Sequence, residues 1–112
     1  MFSFLHGKWK QMEQERHAYS REVKRRLIAD GMEIFKKYKI KKVILFGSVL
    51  ENRMCASSDL DILVDPLSAE HFFSFQCSLE EKLNLPVDLH TMNEDKKLIE
   101  KILNRGEVIY EV

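Results

Sequence analysis

The sequence predicts an α/β fold of the α+β kind, a mixed β-sheet packed against helices, and three observations carry that expectation. Apolar residues recur at helical spacing in three stretches, short β-rich apolar runs alternate with them, and turn-forming residues stand between the two kinds. At 112 residues and 45% hydrophobic content the chain fits one domain with a core of its own and is too short for two.

Taken in order, Val23, Leu27, Ile28, Gly31, Ile34, Phe35 and Tyr38 follow the three-and-four spacing of one helix face, so an amphipathic helix is expected from about His17 to Tyr38. Arg25, Arg26, Lys36, Lys37 and Lys39 fall away from much of that stripe and read as a solvated face. Residues 1–19 read as an N-terminal extension to a domain of residues 20–112. The weak periodicity of residues 1–16 leaves open whether they extend the helix, fray or pack on a partner. Lys42-Val-Ile-Leu-Phe-Gly47 is a buried-strand pattern closed by glycine, and a second strand is expected over Asp59–Val64, ended by Asp65-Pro66. Ser68 stands where a residue would cap a helix that buries Phe72, Phe75, Leu79 and Leu83. Pro86 opens a third strand, Val87–Thr91. Asn93 is placed to cap a last helix carrying Leu98, Ile99, Ile102 and Leu103, Gly106 suits its C-terminal cap, and Val108–Tyr110 adds a short edge strand. No internal repeat or low-complexity stretch competes with this order.

Composition excludes several function classes. The longest apolar run, Val43–Phe46, is far below the roughly 20 residues a membrane span needs, and the amino terminus lacks the apolar length and cleavage site of a signal peptide. A cytoplasmic location is therefore the default expectation. Cys55 and Cys77 show no metal-ligand spacing and read as ordinary thiols. Eighteen basic residues balance 18 acidic ones, so no global nucleic-acid signature is present and direct nucleic-acid binding is not expected. The charge is unevenly placed, with 13 basic and 6 acidic residues in positions 1–56 against 5 basic and 12 acidic in 57–112. That asymmetry suits a carboxylate metal site beside a basic phosphate-receiving or partner-binding surface, and it is equally what ordinary opposite-signed surfaces look like.

The residues with chemistry lie at strand ends. Asp59 and Asp61, two apart on one strand, project from the same face, and carboxylates forced side by side repel unless a cation joins them. Mg²⁺ suits such hard oxygen ligands, taking one or two carboxylates together with phosphate oxygens and water. Alone, the pair is also consistent with strand-end solvation or capping. Gly47-Ser48 after the first strand lets the backbone approach a phosphate, which its N–H groups and the Ser48 hydroxyl can hold. By itself it is also a generic strand-ending turn. Asp88, between Val87 and Leu89, reaches the same cluster if its strand lies beside that of Asp59 and Asp61, and otherwise is a surface acid.

Taken together, Gly47-Ser48, the ten residues Val49–Ser58, and Asp59-Leu60-Asp61 resemble the GS-x10-DxD signature of the minimal nucleotidyltransferases (MNT) of the DNA polymerase β-like superfamily. These small proteins are often encoded beside a HEPN-domain partner as a toxin–antitoxin pair. The resemblance continues through Ser58–Val64, the Pro86-Val-Asp88-Leu strand and Gly106–Tyr110, covering about residues 20–111. It implies the nucleotidyltransferase fold, two Mg²⁺ ions held by Asp59, Asp61 and Asp88, and a triphosphate held by Gly47 and Ser48. It further implies transfer of a nucleoside monophosphate, AMP in the first instance, from ATP or another NTP to a hydroxyl on a partner such as a HEPN ribonuclease, which the modification silences.

One segment departs from the family pattern. Where relatives often continue with a stretch such as Arg-Ala-Arg-Gly, this chain has Val49-Leu50-Glu51-Asn52 before Arg53. Glu51 puts an acid where a cation would grip phosphate, and Arg53 compensates only if the loop shifts register. The rival reading is accordingly a noncatalytic antitoxin or regulatory module that neutralises its partner by contact. Transfer to a small molecule such as an aminoglycoside fits less well, because no second domain forms that pocket. His6, His17, His71 and His90 are scattered, and only His90, two residues beyond Asp88, is near the site; it reads first as a partly exposed histidine. Trp9 and Phe73 are candidates for a stacking or partner surface, Phe72 and Phe75 for the core, and Ser57 and Ser58 for shaping the turn into the acid-bearing strand.

Overall fold

The computed structural model describes residues 2–51, 54 and 58–112, and for residues 2–11 the backbone alone. Asn52, Arg53, Cys55 and Ser57 thus lie outside the described residues, as do the side chains of His6 and Trp9. Element order is α1 (Phe2–Lys37), β1 (Lys42–Phe46), a single 3₁₀ turn (Gly47–Val49), β2 (Leu60–Asp65), α2 (Ala69–Leu83), β3 (Val87–Thr91), α3 (Lys96–Arg105) and β4 (Glu107–Glu111).

Helix α1 begins at Phe2, far ahead of the expected His17. The reason is physical: apolar periodicity reports which helical residues are buried, and here burial starts only at Ser20, while residues 12–18 are exposed. Met, Glu, Gln, Arg and Ala in that stretch are good helix formers that need no core to lie against. At its other end Lys36 and Lys37 face the negative end of the helix dipole. Lys39 takes a left-handed conformation (φ 57°), and the Ile40 N–H closes the turn on the Phe35 carbonyl at 2.9 Å.

The four strands form a mixed sheet in the order β3-β2-β1-β4. β1 runs antiparallel to β2 and β4, whereas β2 and β3 are parallel, joined by the crossover through α2. Strand alternation divides the sheet into two faces. Val43, Leu45, Leu60, Ile62, Val64, Val87 and Leu89 pack with Val23, Leu27 and Phe35 of α1 and Phe75, Leu79 and Leu83 of α2. On the opposite face Ile44 and Leu63 meet Ile99 and Ile102 of α3. Phe75 is buried as expected and Phe72 packs at the margin of the core, while Phe73 is exposed. Among the described residues no helix is long and apolar enough to cross a membrane, and Cys77 is an exposed free thiol.

Of the two capping expectations for the last helix, the N-cap is corrected and the C-cap is met. Helix α3 starts behind Asp95, not Asn93, because Glu94 is drawn into a hydrogen bond with His90 and the turn runs on for two residues. Gly106 does follow α3, its N–H bonding the Ile102 carbonyl at 2.7 Å, but its backbone is extended (φ −79°, ψ 167°) and not left-handed. Glycine is required there for space: a Cβ would stand 2.5 Å from Ile44 Cγ2 and 2.6 Å from the Ile102 carbonyl oxygen. Ser68 occupies the N-cap of α2 without a side-chain capping bond.

Gly106→Ala is expected to destabilise the domain by about 1–3 kcal/mol through this overpacking. Thermal denaturation should register a loss of roughly 4–8 °C for each kcal/mol in a domain of this size. An unchanged melting temperature would show that the α3–β4 junction can yield.

Candidate active site

The site is built on the face of the sheet that α3 leaves uncovered. β2 and β3 are in register Leu60↔Val87, Asp61↔Asp88, Ile62↔Leu89, so Asp61 and Asp88 are direct partners across neighbouring strands. Parallel strands lie about 4.8 Å apart, which brings the two carboxyl groups to one spot. Burial first, then the Asp88 charge and a hydrogen bond between the two side chains, push Asp61 up to about 6. An acid pair that retains a proton between its members is one whose repulsion a divalent cation would relieve.

Asp59 sits differently from the expected arrangement. The strand opens at Leu60, whose N–H bonds the Pro86 carbonyl at 2.9 Å, while β1 pairing ends at Phe46↔Asp61. Asp59 therefore has no strand residue opposite and is exposed at the mouth of the strand, where its charge adds to the pressure on Asp61. Among the described residues no three His, Cys, Asp or Glu side chains are grouped closely enough to hold a metal ion alone. Two adjoining carboxylates with a third at the strand mouth still fit the habit of Mg²⁺, which completes its shell with phosphate oxygens and water.

Gly47 and Ser48 turn the end of β1 toward these acids. Gly47 has φ +79°, a region costly for any other residue, and a Cβ there would collide with the Asp61 carboxylate. The Gly47 carbonyl accepts from the Leu50 and Glu51 N–H groups at 3.2 Å each, leaving the earlier N–H groups at the open end of the turn. Val49 is buried, so this aliphatic residue serves the core. The loop beyond is pinned where the Met54 N–H donates to the buried Ser20 hydroxyl of α1 at 3.0 Å.

His90 is partly buried and makes the supporting contacts that its place two residues beyond Asp88 allowed. Its Nε2 lies 3.2 Å from Asp88 Oδ2 and its Nδ1 2.6 Å from Glu94 Oε2, and its ring packs against Phe46 with centroids 5.4 Å apart. Burial of the ring works against its charged form, but Glu94 and Asp88 outweigh this and lift its pKa above the ordinary value. His90 is two residues from Asp88 and so on the same face, which was visible in the sequence; Glu94 became visible only when the following turn was in place. Lys101 and Arg105 were missed entirely. They share with Leu98 and Ile102 the α3 face that closes a cleft of about 320 Å³ against Phe46, Gly47, Ser48 and Leu50, with Glu51 also at its wall. Their one-face spacing within α3 was the available signal. His17 and His71 are exposed and stand apart from this site.

The chain resembles known proteins in line with this geometry. Residues 32–112 match the family described as Polymerase beta, Nucleotidyltransferase. Two proteins of Methanocaldococcus jannaschii, named Putative protein adenylyltransferase MJ0126 and MJ1215, are 36% and 35% identical to the chain over 75 residues; the matches cover 64% of this chain and 76% and 87% of those proteins. Among solved structures, a toxin–antitoxin crystal structure with AMP-PNP has a chain that superposes with a TM-score of 0.67 at 21% identity, over 76% of this chain and 73% of that one. The complex of a tri-AMPylated Shewanella oneidensis HEPN toxin with its MNT antitoxin has one with a TM-score of 0.59 at 18% identity, over 83% and 73%. At such identities the structural likeness speaks to the fold.

The Asp61 environment predicts a pH signature in the metal-free protein. An acid whose folded-state pKa is raised binds its proton more tightly folded than unfolded, so its contribution to stability falls as pH climbs from 3.8 to about 6 and stays low above that. Asp61→Asn should raise the melting temperature near pH 7.5 by about 4 °C, equivalent to roughly 1 kcal/mol once solvent screening is allowed for. The gain should vanish toward pH 4. A gain independent of pH would place its origin outside this carboxyl group.

Proposed function

The chain belongs to the Polymerase beta, Nucleotidyltransferase family, and from that premise we propose that it transfers AMP from ATP to a hydroxyl group on a partner protein of the HEPN type. The observation that carries the reading is the direct pairing of Asp61 with Asp88 beside the Gly47-Ser48 turn. Support for the transferred group comes from the names of the Methanocaldococcus relatives. Support for the acceptor comes from the tri-AMPylated HEPN toxin in the Shewanella complex.

In this reaction the acceptor oxygen attacks the α-phosphorus of ATP, the bond to the β-phosphate oxygen breaks, and pyrophosphate leaves as the hydroxyl proton is released. Two Mg²⁺ ions held by Asp59, Asp61 and Asp88 would lower the pKa of the attacking hydroxyl and neutralise charge on the transferring and leaving phosphates. The chain's own residues do the placing. Gly47 admits the phosphate close to the backbone, and the Ser48 hydroxyl and turn N–H groups donate to it. Asp88, outermost on β3 and exposed, faces the side from which an acceptor arrives. His90, bridged to Glu94, keeps Asp88 from swinging away. The partner supplies the acceptor and its alignment.

A second reading is kept because Glu51 lines the cleft, where it opposes phosphate: the chain neutralises its partner by contact without transfer. Two measurements separate the readings. Mg²⁺ with ATP should raise the melting temperature of the wild type, and the Asp59→Asn/Asp61→Asn variant should lose that shift. Mixed with ATP and its partner, the wild type should leave an AMP adduct on a partner hydroxyl, a tyrosine in the first instance. Asp88→Asn should lower adduct formation by at least about 100-fold, in the range that loss of an electrostatic catalytic group costs, while partner binding persists. An unmodified partner neutralised equally by wild type and Asp88→Asn would decide for the contact mechanism.

A further inference from the structure

Gly47 is a junction between two chemical environments. One side of it touches the Asp61 carboxylate, and the other opens into the cleft whose far wall is α3. A triphosphate with its α-phosphate over Asp61 and Asp88 has this cleft open to its β- and γ-phosphates on the other side of the glycine. The loop following Gly47 offers those phosphates a buried Val49, an apolar Leu50 and the acid Glu51. The cations are across the cleft instead, Lys101 and Arg105, four residues apart on the exposed side of α3. Neither makes an ion pair with a described residue. Beneath them Ile102 packs on Ile44 and Leu63, so the face that carries the two cations is held rigidly to the sheet that carries the acids.

We propose that Lys101 and Arg105 form the binding site for the β- and γ-phosphates, holding the pyrophosphate leaving group from α3. The inference rests on the nucleotide-transfer reading and assigns two residues to that same site. Its physical basis is charge: a polyphosphate gains when it departs with cations already in place, and an ammonium beside a guanidinium fork supplies them without rearrangement. Arg105 also lies in the last turn of α3, where a cation favours the helix dipole. That helix-capping role alone would move stability and leave phosphate affinity untouched.

The test is calorimetric titration of the full chain with ATP and, separately, with inorganic pyrophosphate, both with Mg²⁺. Lys101→Gln/Arg105→Gln should weaken both ligands by roughly 30-fold or more, with a shallower salt dependence, on the scale expected for two charge-assisted contacts. The charge-preserving Lys101→Arg/Arg105→Lys should keep the wild-type salt dependence and bind both ligands more tightly than the Gln variant, because both positive charges remain although the guanidinium fork is moved. Circular dichroism confirms that both variants fold, as the exposure of the two residues leads one to expect. Unchanged ATP and pyrophosphate affinity in the Gln variant overturns this site and leaves the nucleotide-transfer reading standing. Absence of ATP binding by the wild type overturns that reading and the phosphate site with it.

Discussion

The parallel pairing of β2 with β3 is the constraint on which the rest of the structure depends. It aligns Asp61 with Asp88 across about one strand spacing, a juxtaposition that costs free energy in the metal-free protein because one acid must hold its proton well into the range where carboxylates ordinarily ionise. Parallel strands cannot be joined by a tight turn, so a crossover is obligatory, and the 15-residue α2 provides it. α2 buries Phe75, Leu79 and Leu83 on the sheet, and α1 covers what remains of that face. Gln76 of α2 then donates to the Val87 carbonyl at 2.8 Å, one residue from Asp88. The apolar core thus holds two acids at a separation they would not choose.

The two faces of the sheet divide the work. One is closed by α1 and α2 and supplies most of the burial; the other is closed only partly, by the 10-residue α3, and the uncovered remainder is the site. Stability and chemistry are separated by nothing more than strand alternation, since Leu60, Ile62 and Leu89 point one way while Asp61, Asp88 and His90 point the other. Contacts from α1 reach the site's margins as well: Ser20 fixes the loop at Met54, and Lys24 pairs with Glu107 at 2.8 Å at the start of β4. The first half of α1 makes no such contribution through residues 12–18, which are exposed.

The departure at Val49-Leu50-Glu51 follows from packing. Val49 is one of the buried residues against α1 and the sheet, so this position serves the core. Leu50 and Glu51 border the cleft that Lys101 and Arg105 of α3 line from the other side.

What the sequence by itself determined is everything governed by local pattern. Spacing of apolar residues specified three helices, β-rich runs specified four strands, and Gly47-Ser48 with Asp59-Leu60-Asp61 marked the family and a candidate site, because each signal lies within a few residues of chain. Boundaries were less secure wherever burial or a side-chain contact decided them: α1 begins at Phe2 since helix formers need no core, and α3 begins after Asp95 since Glu94 turns back to His90. Only the tertiary structure decided the register that pairs Asp61 with Asp88, the detachment of Asp59 from the strand, the close approach that makes Gly106 necessary, and the presence of Lys101 and Arg105 across the cleft from Gly47. Each of these joins segments that are distant in sequence or set by which strand lies next to which, and a choice among strand neighbours is made by the summed burial of the whole sheet, which no single stretch of residues encodes.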